Sequence, residues 1–147
     1  MLSVKKLVIF SLVALSSLSF SAMARNELLT FKIADAMETG KQKNVLDDSI
    51  ALYFNEQTHD AVQKTFGEYT SNKKTNAFGK SDLKACNWAF LSAIKSLQQR
   101  AAKEGGNAVI NIHSYYKKNT FSSDSEFQCG AGAIMAGVAL VGEVVKL

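Results

Sequence analysis

The stretch from Asp82 to Glu104 constrains the fold of this chain most, because it predicts one long amphipathic helix. Apolar residues recur in it at intervals of three or four, the spacing that places them on one face of an α-helix: Leu83, Cys86, Phe90, Ile94, Leu97 and Ala101. Ser81 or Asp82 is a suitable N-cap, since a short side-chain oxygen can accept a hydrogen bond from a first-turn amide. Gly105 and Gly106 end the helix, because glycine adopts the left-handed conformation without steric cost.

The residues after the two glycines switch to an alternating pattern, which is typical of a β-strand. Over residues 107–116 the alternation predicts two opposite faces: Ala108, Ile110 and Ile112 on one, and Val109, Asn111, His113 and Tyr115 on the other. Residues 117–125 are polar and are predicted to be a hairpin connection. Residues 126–147 are predicted to form one long last strand that is apolar on both faces, with Gly130, Gly132 and Gly137 allowing a bulge or a close helix approach.

The pattern is weaker between Arg25 and the helix. Residues 28–33 are predicted to form a short strand or the first turns of a helix, and residues 49–54 and 62–70 are predicted strands. Residues 71–76 are polar and are predicted to be a loop. With the helix, these elements predict a single α+β domain over residues 25–147, an antiparallel sheet of about four or five strands with the main helix packed on one face.

The first 24 residues have the three parts of a secretory signal peptide. Lys5 and Lys6 form the basic region, residues 7–15 form the apolar region, and Ala-Met-Ala at 22–24 forms the cleavage site. We therefore expect the mature chain to begin at Arg25 and to be periplasmic or secreted. The apolar region is too short for a stable anchor, and no later apolar run reaches the ~18 residues of a membrane span, so stable membrane insertion of the mature chain is not expected.

The two cysteines predict a structural disulfide. Cys86 lies on the buried stripe near the start of the helix, and Cys129 lies where the return strand begins. An oxidising compartment allows them to pair if that strand packs under the helix. The alternative is a redox or metal-binding pair, but there is no Cys-x-x-Cys motif, and neither His59 nor His113 has ligand spacing to a cysteine. No metal site and no cofactor is therefore expected.

The charge balance argues against a dedicated nucleic-acid-binding protein. The formal net charge of the whole chain is +4, and it falls to about +2 when Lys5 and Lys6 leave with the leader. A nucleic-acid-binding domain is expected to show a clustered basic face and a larger excess of positive charge. The local group of lysines is read as a solvated loop: Lys73, Lys74, Lys80 and Lys84.

Gly79, Lys80 and Ser81 resemble the last part of a phosphate-binding loop that opens a helix. The full motif needs a glycine five residues before Gly79, and Lys74 occupies that position. A nucleoside triphosphatase is therefore not expected, although the helix start with Lys80 could bind an anion weakly. No catalytic residue is predicted, because the adjacent His113 and Ser114 face opposite sides of a strand and no Gly-x-Ser-x-Gly motif is present.

Four segments together resemble a family of small exported proteobacterial proteins that often carry the label "excinuclease ATPase subunit": residues 70–78, 85–93, 105–109 and 129–132. The resemblance covers nearly all of the mature chain. The label implies DNA repair, but this chain lacks the phosphate loop, the zinc-binding cysteine clusters and the length of such a subunit, so we take the name to be inherited in error.

The order helix, Gly-Gly-Asn-Ala-Val, strand, hairpin and strand is more distantly similar to RcsF-like and YbjQ-like proteins. This similarity implies an α+β fold in which a disulfide joins the helix and hairpin region, and Cys86 and Cys129 match one such bridge. RcsF-like proteins are outer-membrane lipoproteins that signal envelope stress. This chain lacks their lipidated cysteine and their second bridge, so the similarity is carried over for the fold alone.

The leading functional interpretation is a non-enzymatic exported protein that binds an envelope protein or a cell-wall component. Its candidate contacts lie on the predicted sheet face away from the helix or in the adjoining loop: Asn111, His113, Tyr115, Lys73 and Lys74. The rival interpretation is an anion- or nucleotide-binding protein or enzyme that uses Gly79, Lys80 and Ser81. A third, a DNA-binding repair factor, is disfavoured by export.

The export and disulfide predictions are tested by the intact mass of the protein purified from the periplasm. We expect a mass that starts at Arg25, with both thiols protected from alkylation until a reductant is added. An uncleaved chain with two free thiols would contradict the assigned compartment and would restore intracellular metal or anion chemistry.

Overall fold

The computed structural model describes residues 25–147, so the predicted signal peptide lies outside the described residues. The chain forms two α-helices and six strands in the order β1 (Glu27–Lys32), α1 (Ile33–Gln42), β2 (Ala51–Phe54), β3 (Lys64–Asn76), α2 (Asp82–Glu104), β4 (Ala108–Ser114), β5 (Glu126–Ala131) and β6 (Met135–Lys146), with a short 3-10 turn at Tyr116–Lys118. The α+β class with one main helix is confirmed.

Strand β6 lies at the centre of the sheet. It pairs antiparallel with β3 along one whole edge, while β4 and β5 share its other edge. β1 extends the sheet from β5, and β2 extends it from β4. The sheet therefore has six strands where about four or five were expected. It is also mixed where an antiparallel sheet was expected, because β2 runs parallel to β4.

Helix α2 has the boundaries that the sequence predicts. The Ser81 side chain accepts a hydrogen bond from the backbone N–H of Lys84, and Gly105 closes the other end with φ +85°. The apolar stripe of α2 packs on one face of the sheet, where Phe90 stacks on Phe127 with ring centroids 4.3 Å apart. Of the stripe, only Leu83 in the first turn is exposed.

The predicted faces of β4 are wrong because Asn111 forms a β-bulge. Its φ is +50°, and the pairing with β6 shifts by one residue between Ile110 and His113. An extra residue reverses the alternation beyond it. Val109 and Ile112 therefore share the core beneath α2, whereas Ala108 and Ile110 lie on the opposite face.

Two further predictions about the sheet are corrected. Residues 71–76 are not a loop but the second half of β3, because β6 offers each of them a pairing partner. Residues 126–147 are not one strand but the hairpin of β5 and β6, and the Gly132 N–H donates to the Met135 carbonyl at 2.9 Å to close its turn. Residues 71–76 are polar because β3 is an edge strand, and this polar composition led to the wrong prediction of a loop.

The sulfur atoms of Cys86 and Cys129 lie 2.10 Å apart, so the structure brings the two cysteines together as the sequence predicts. Both residues are fully buried, and the bond links α2 to β5. It closes a loop with a sequence separation of 43 residues. In the chain-entropy model, a loop of that size stabilises the folded state by about 4 kcal/mol.

Residue 130 must be glycine because the ring of Tyr116 occupies the space that a side chain would need. Gly130 of β5 pairs with Gly137 of β6, and the Tyr116 ring lies over both glycines. We expect Gly130→Ala to lower the free energy of unfolding by about 1–3 kcal/mol, because the added methyl group overlaps the ring. The matched control is Gly137→Ala, whose methyl group meets its nearest atom, Lys74 Cγ, at an ordinary 3.5 Å. Equal denaturant midpoints for the two variants would contradict this account.

Two buried serines should respond oppositely to removal of their hydroxyl groups. Ser114 Oγ accepts a hydrogen bond from the Gln128 N–H at 2.9 Å, whereas Ser71 Oγ has no partner within residues 25–147. We expect Ser114→Ala to cost about 1–3 kcal/mol, because it leaves a donor unpaired, and Ser71→Ala to cost nothing or to stabilise. Urea unfolding of both variants measures the difference, and a larger loss for Ser71→Ala would refute it.

Candidate functional site

The structure does not gather the five predicted contact residues on one surface. Asn111 is exposed on the bulge, and its carbonyl lies 2.7 Å from His113 Nδ1. Tyr115 directly follows the end of β4 and donates its N–H to the Ala139 carbonyl at 2.8 Å. Lys74 lies about 13 Å from His113 along β6, four residues away in register. Lys73 points to the side of the sheet that α2 covers.

Gly79, Lys80 and Ser81 form the turn between β3 and α2. Gly79 has φ +70°, and Ser81 Oγ already takes up the first-turn amide of Lys84. Lys80 Nζ donates to the Asn76 carbonyl at 3.0 Å. The turn therefore does not form the ring of free backbone amides that a phosphate-binding loop presents.

Asp82 places a negative charge in the first turn of α2, which favours the helix. Its Oδ1 accepts a hydrogen bond from Arg25 Nη1 at 2.9 Å. This ion pair lowers the pKa of Asp82, so the carboxylate stays ionised at neutral pH. The Asp82 carboxylate therefore lies beside the one first-turn amide that Ser81 Oγ takes up, the Lys84 N–H.

A cleft of about 410 Å³ lies beside this turn, between the end of α1 and the first two turns of α2. We call it the α1–α2 cleft. Its lining comes from both helices and the turn: Thr39, Lys43, Lys80, Ser81, Leu83, Lys84, Asn87 and Trp88. Gly40 sets the spacing of the helices, because a Cβ there would lie 2.6 Å from Leu91 Cδ2 of α2.

The charge of the cleft is positive. Lys43, Lys80 and Lys84 line it, and no acidic residue does. Within the described residues, none of these lysines forms an ion pair with a carboxylate. Ammonium groups without a carboxylate partner leave their charge available to an anionic ligand.

The rest of the cleft combines an apolar wall with one buried amide. Trp88 and Leu83 are 42% and 46% exposed, unusual for large apolar side chains on the main helix. Asn87 is only 7% exposed, and its Oδ1 has no hydrogen-bond partner within residues 25–147. A buried carbonyl oxygen without a donor costs free energy, and only a group that donates a hydrogen bond to it recovers that cost.

The sequence pattern named Lys80 and Ser81 as candidates for anion binding, but Lys84 was interpreted as part of a solvated loop and the rest of the cleft was missed. Lys43 directly follows α1 as its C-cap, and no local pattern connects it to α2. A signal was present on α2, where Lys84 and Trp88, and also Leu83 and Asn87, are four residues apart and therefore adjacent on the helix surface.

Other chemistry finds little support in the part of the chain that is described. No three residues among its His, Cys, Asp and Glu side chains come together as a metal site. His59 packs edge-on against Tyr53, with ring centroids 5.4 Å apart. No helix over residues 25–147 combines the length and the apolar character needed to cross a membrane.

No family model, curated protein or solved structure matches this chain. The resemblances stated above therefore stay predictions, and the function is argued from the cleft.

Proposed function

We propose that this chain is an exported, non-catalytic binding protein of the cell envelope, and that it binds a small organic anion with an apolar or aromatic part. The observation that carries the proposal is the α1–α2 cleft, which is lined by three lysines and an exposed tryptophan and by no carboxylate. Export rests on the predicted signal peptide.

The cleft favours an organic anion over an inorganic one. The lysines attract a phosphate, sulfonate or carboxylate group, and each charge-assisted hydrogen bond contributes about 1.5 kcal/mol. Trp88 and Leu83 offer an apolar wall that an inorganic ion leaves uncovered. A ligand with a ring or a short chain covers that wall and gains hydrophobic free energy as well.

The cleft also favours binding over catalysis. The residues that line it include no histidine, cysteine or carboxylate that could act as nucleophile or general base. A nucleotide, the ligand of the rival interpretation, usually has its phosphates bound in a glycine-rich loop of backbone amides. Here Lys74 stands where that loop needs its first glycine, and Ser81 takes up the Lys84 N–H.

The test uses Trp88, the one tryptophan in the sequence, as an intrinsic fluorescent reporter of the cleft. We expect phenyl phosphate to change its emission saturably and to bind more tightly than inorganic phosphate, phenol or ATP. Lys43→Gln and Lys84→Gln should each weaken binding about tenfold, which corresponds to the loss of one charge-assisted hydrogen bond.

Lys103→Gln is the matched control, since Lys103 lies in the last turn of α2, outside the cleft. It should bind phenyl phosphate like the wild type. Equal losses in all three variants would show a non-specific charge effect, and tighter binding or hydrolysis of ATP would favour the rival interpretation. Either result, or no saturable change with phenyl phosphate, would refute the proposal.

A further inference from the structure

Two turns meet at the end of the sheet where α2 begins, and both carry large exposed apolar side chains. Phe78 in the β3–α2 turn is 75% exposed, and Ile134 in the β5–β6 turn is 65% exposed. The turns are joined by a hydrogen bond from the Ala77 N–H to the Ile134 carbonyl, 2.7 Å long. Met135 and Leu83 beside them are nearly half exposed.

Basic side chains surround these turns. Lys74 borders the pocket that Ile134 and Met135 line, and Lys80 and Lys84 flank Leu83. We call the set the end surface: Lys74, Phe78, Lys80, Leu83, Lys84, Ile134 and Met135. The two nearby carboxylates, Glu27 and Asp82, both pair with Arg25, so this group keeps one net negative charge and offsets only one of the three lysines.

The fold itself does not account for this arrangement. None of the four apolar side chains belongs to the core, and single exposed apolar residues are common, whereas adjacent ones of this size mark an interaction site. A stable protein interface takes about 20 residues a side, many more than two turns can offer. Apolar turns surrounded by lysines are complementary to a surface that has an apolar interior and negatively charged groups at its boundary with water.

We propose that the end surface docks on an anionic lipid surface. Phe78 and Ile134 enter the boundary between headgroups and acyl chains, and the lysines contact the lipid phosphates. The mode is peripheral and involves no membrane-spanning segment. The end surface shares Lys80, Leu83 and Lys84 with the α1–α2 cleft. Lys74, Phe78, Ile134 and Met135 do not line the cleft, so substitutions there test docking separately from the proposed ligand.

The experiment is co-sedimentation of the mature chain with vesicles of phosphatidylcholine, and with vesicles in which phosphatidylglycerol replaces part of it. We expect binding to the phosphatidylglycerol vesicles alone, and this binding should weaken as salt is added. The double variant Phe78→Ser/Ile134→Ser should lose at least tenfold in affinity. Lys74→Gln should lose about fivefold, the ratio that corresponds to roughly 1 kcal/mol for one basic residue at such a surface.

Two controls separate docking from unfolding and from general charge. Val62→Ser removes an exposed apolar residue at the opposite end of β3, and Lys103→Gln removes a charge at the far end of α2. Both should bind vesicles like the wild type, and all variants should keep the wild-type thermal midpoint and phenyl phosphate affinity.

Three outcomes overturn the inference. One is equal binding to both kinds of vesicle, or no binding to either. Another is a double variant that binds as well as the wild type. The third is a dimer on gel filtration that the double variant converts to monomer, which assigns the end surface to a second copy of the chain.

Discussion

The pairing of β6 is the constraint on which the rest of the structure depends. One edge of β6 pairs with β3 along its whole length. The other edge of β6 pairs with β4 over one part and with β5 over another. One of its faces also meets α2, where Gly142 leaves room for Val109 and for Leu97 of the helix. Residues on both faces of β6 are buried over most of its length, which requires a strand that is apolar on both faces.

The disulfide extends this constraint to the end of the molecule that carries both proposed sites. Cys86 lies in the second turn of α2, directly before Asn87 and Trp88, and Cys129 anchors it to β5. The cleft and the end surface are thus built on a helix start that is tied covalently to the sheet. A binding site held by such a bond loses little conformational entropy when its ligand binds.

Much of the main helix and its covalent link could be read from local patterns. Helix α2 begins at the Ser81 cap, ends at Gly105 and turns its apolar stripe to the sheet. Each of these signals depends only on residues close by in the sequence. The predictions were wrong where pairing with another strand determines the local structure. The polar residues 71–76 became strand because β6 lies beside them, and the bulge at Asn111 reversed the faces of β4.

The sequence by itself determined the α+β class, the extent of α2 and the cysteine pair that could form one bridge, since all three follow from periodicity, capping and composition. Only the tertiary structure decided that β2 runs parallel to β4, that Lys43 joins Lys80 and Lys84 around Trp88, and that Phe78 and Ile134 meet at one end. These juxtapositions join residues far apart in the chain. Packing between distant parts of the chain produces these juxtapositions, and local residue propensities do not predict such packing.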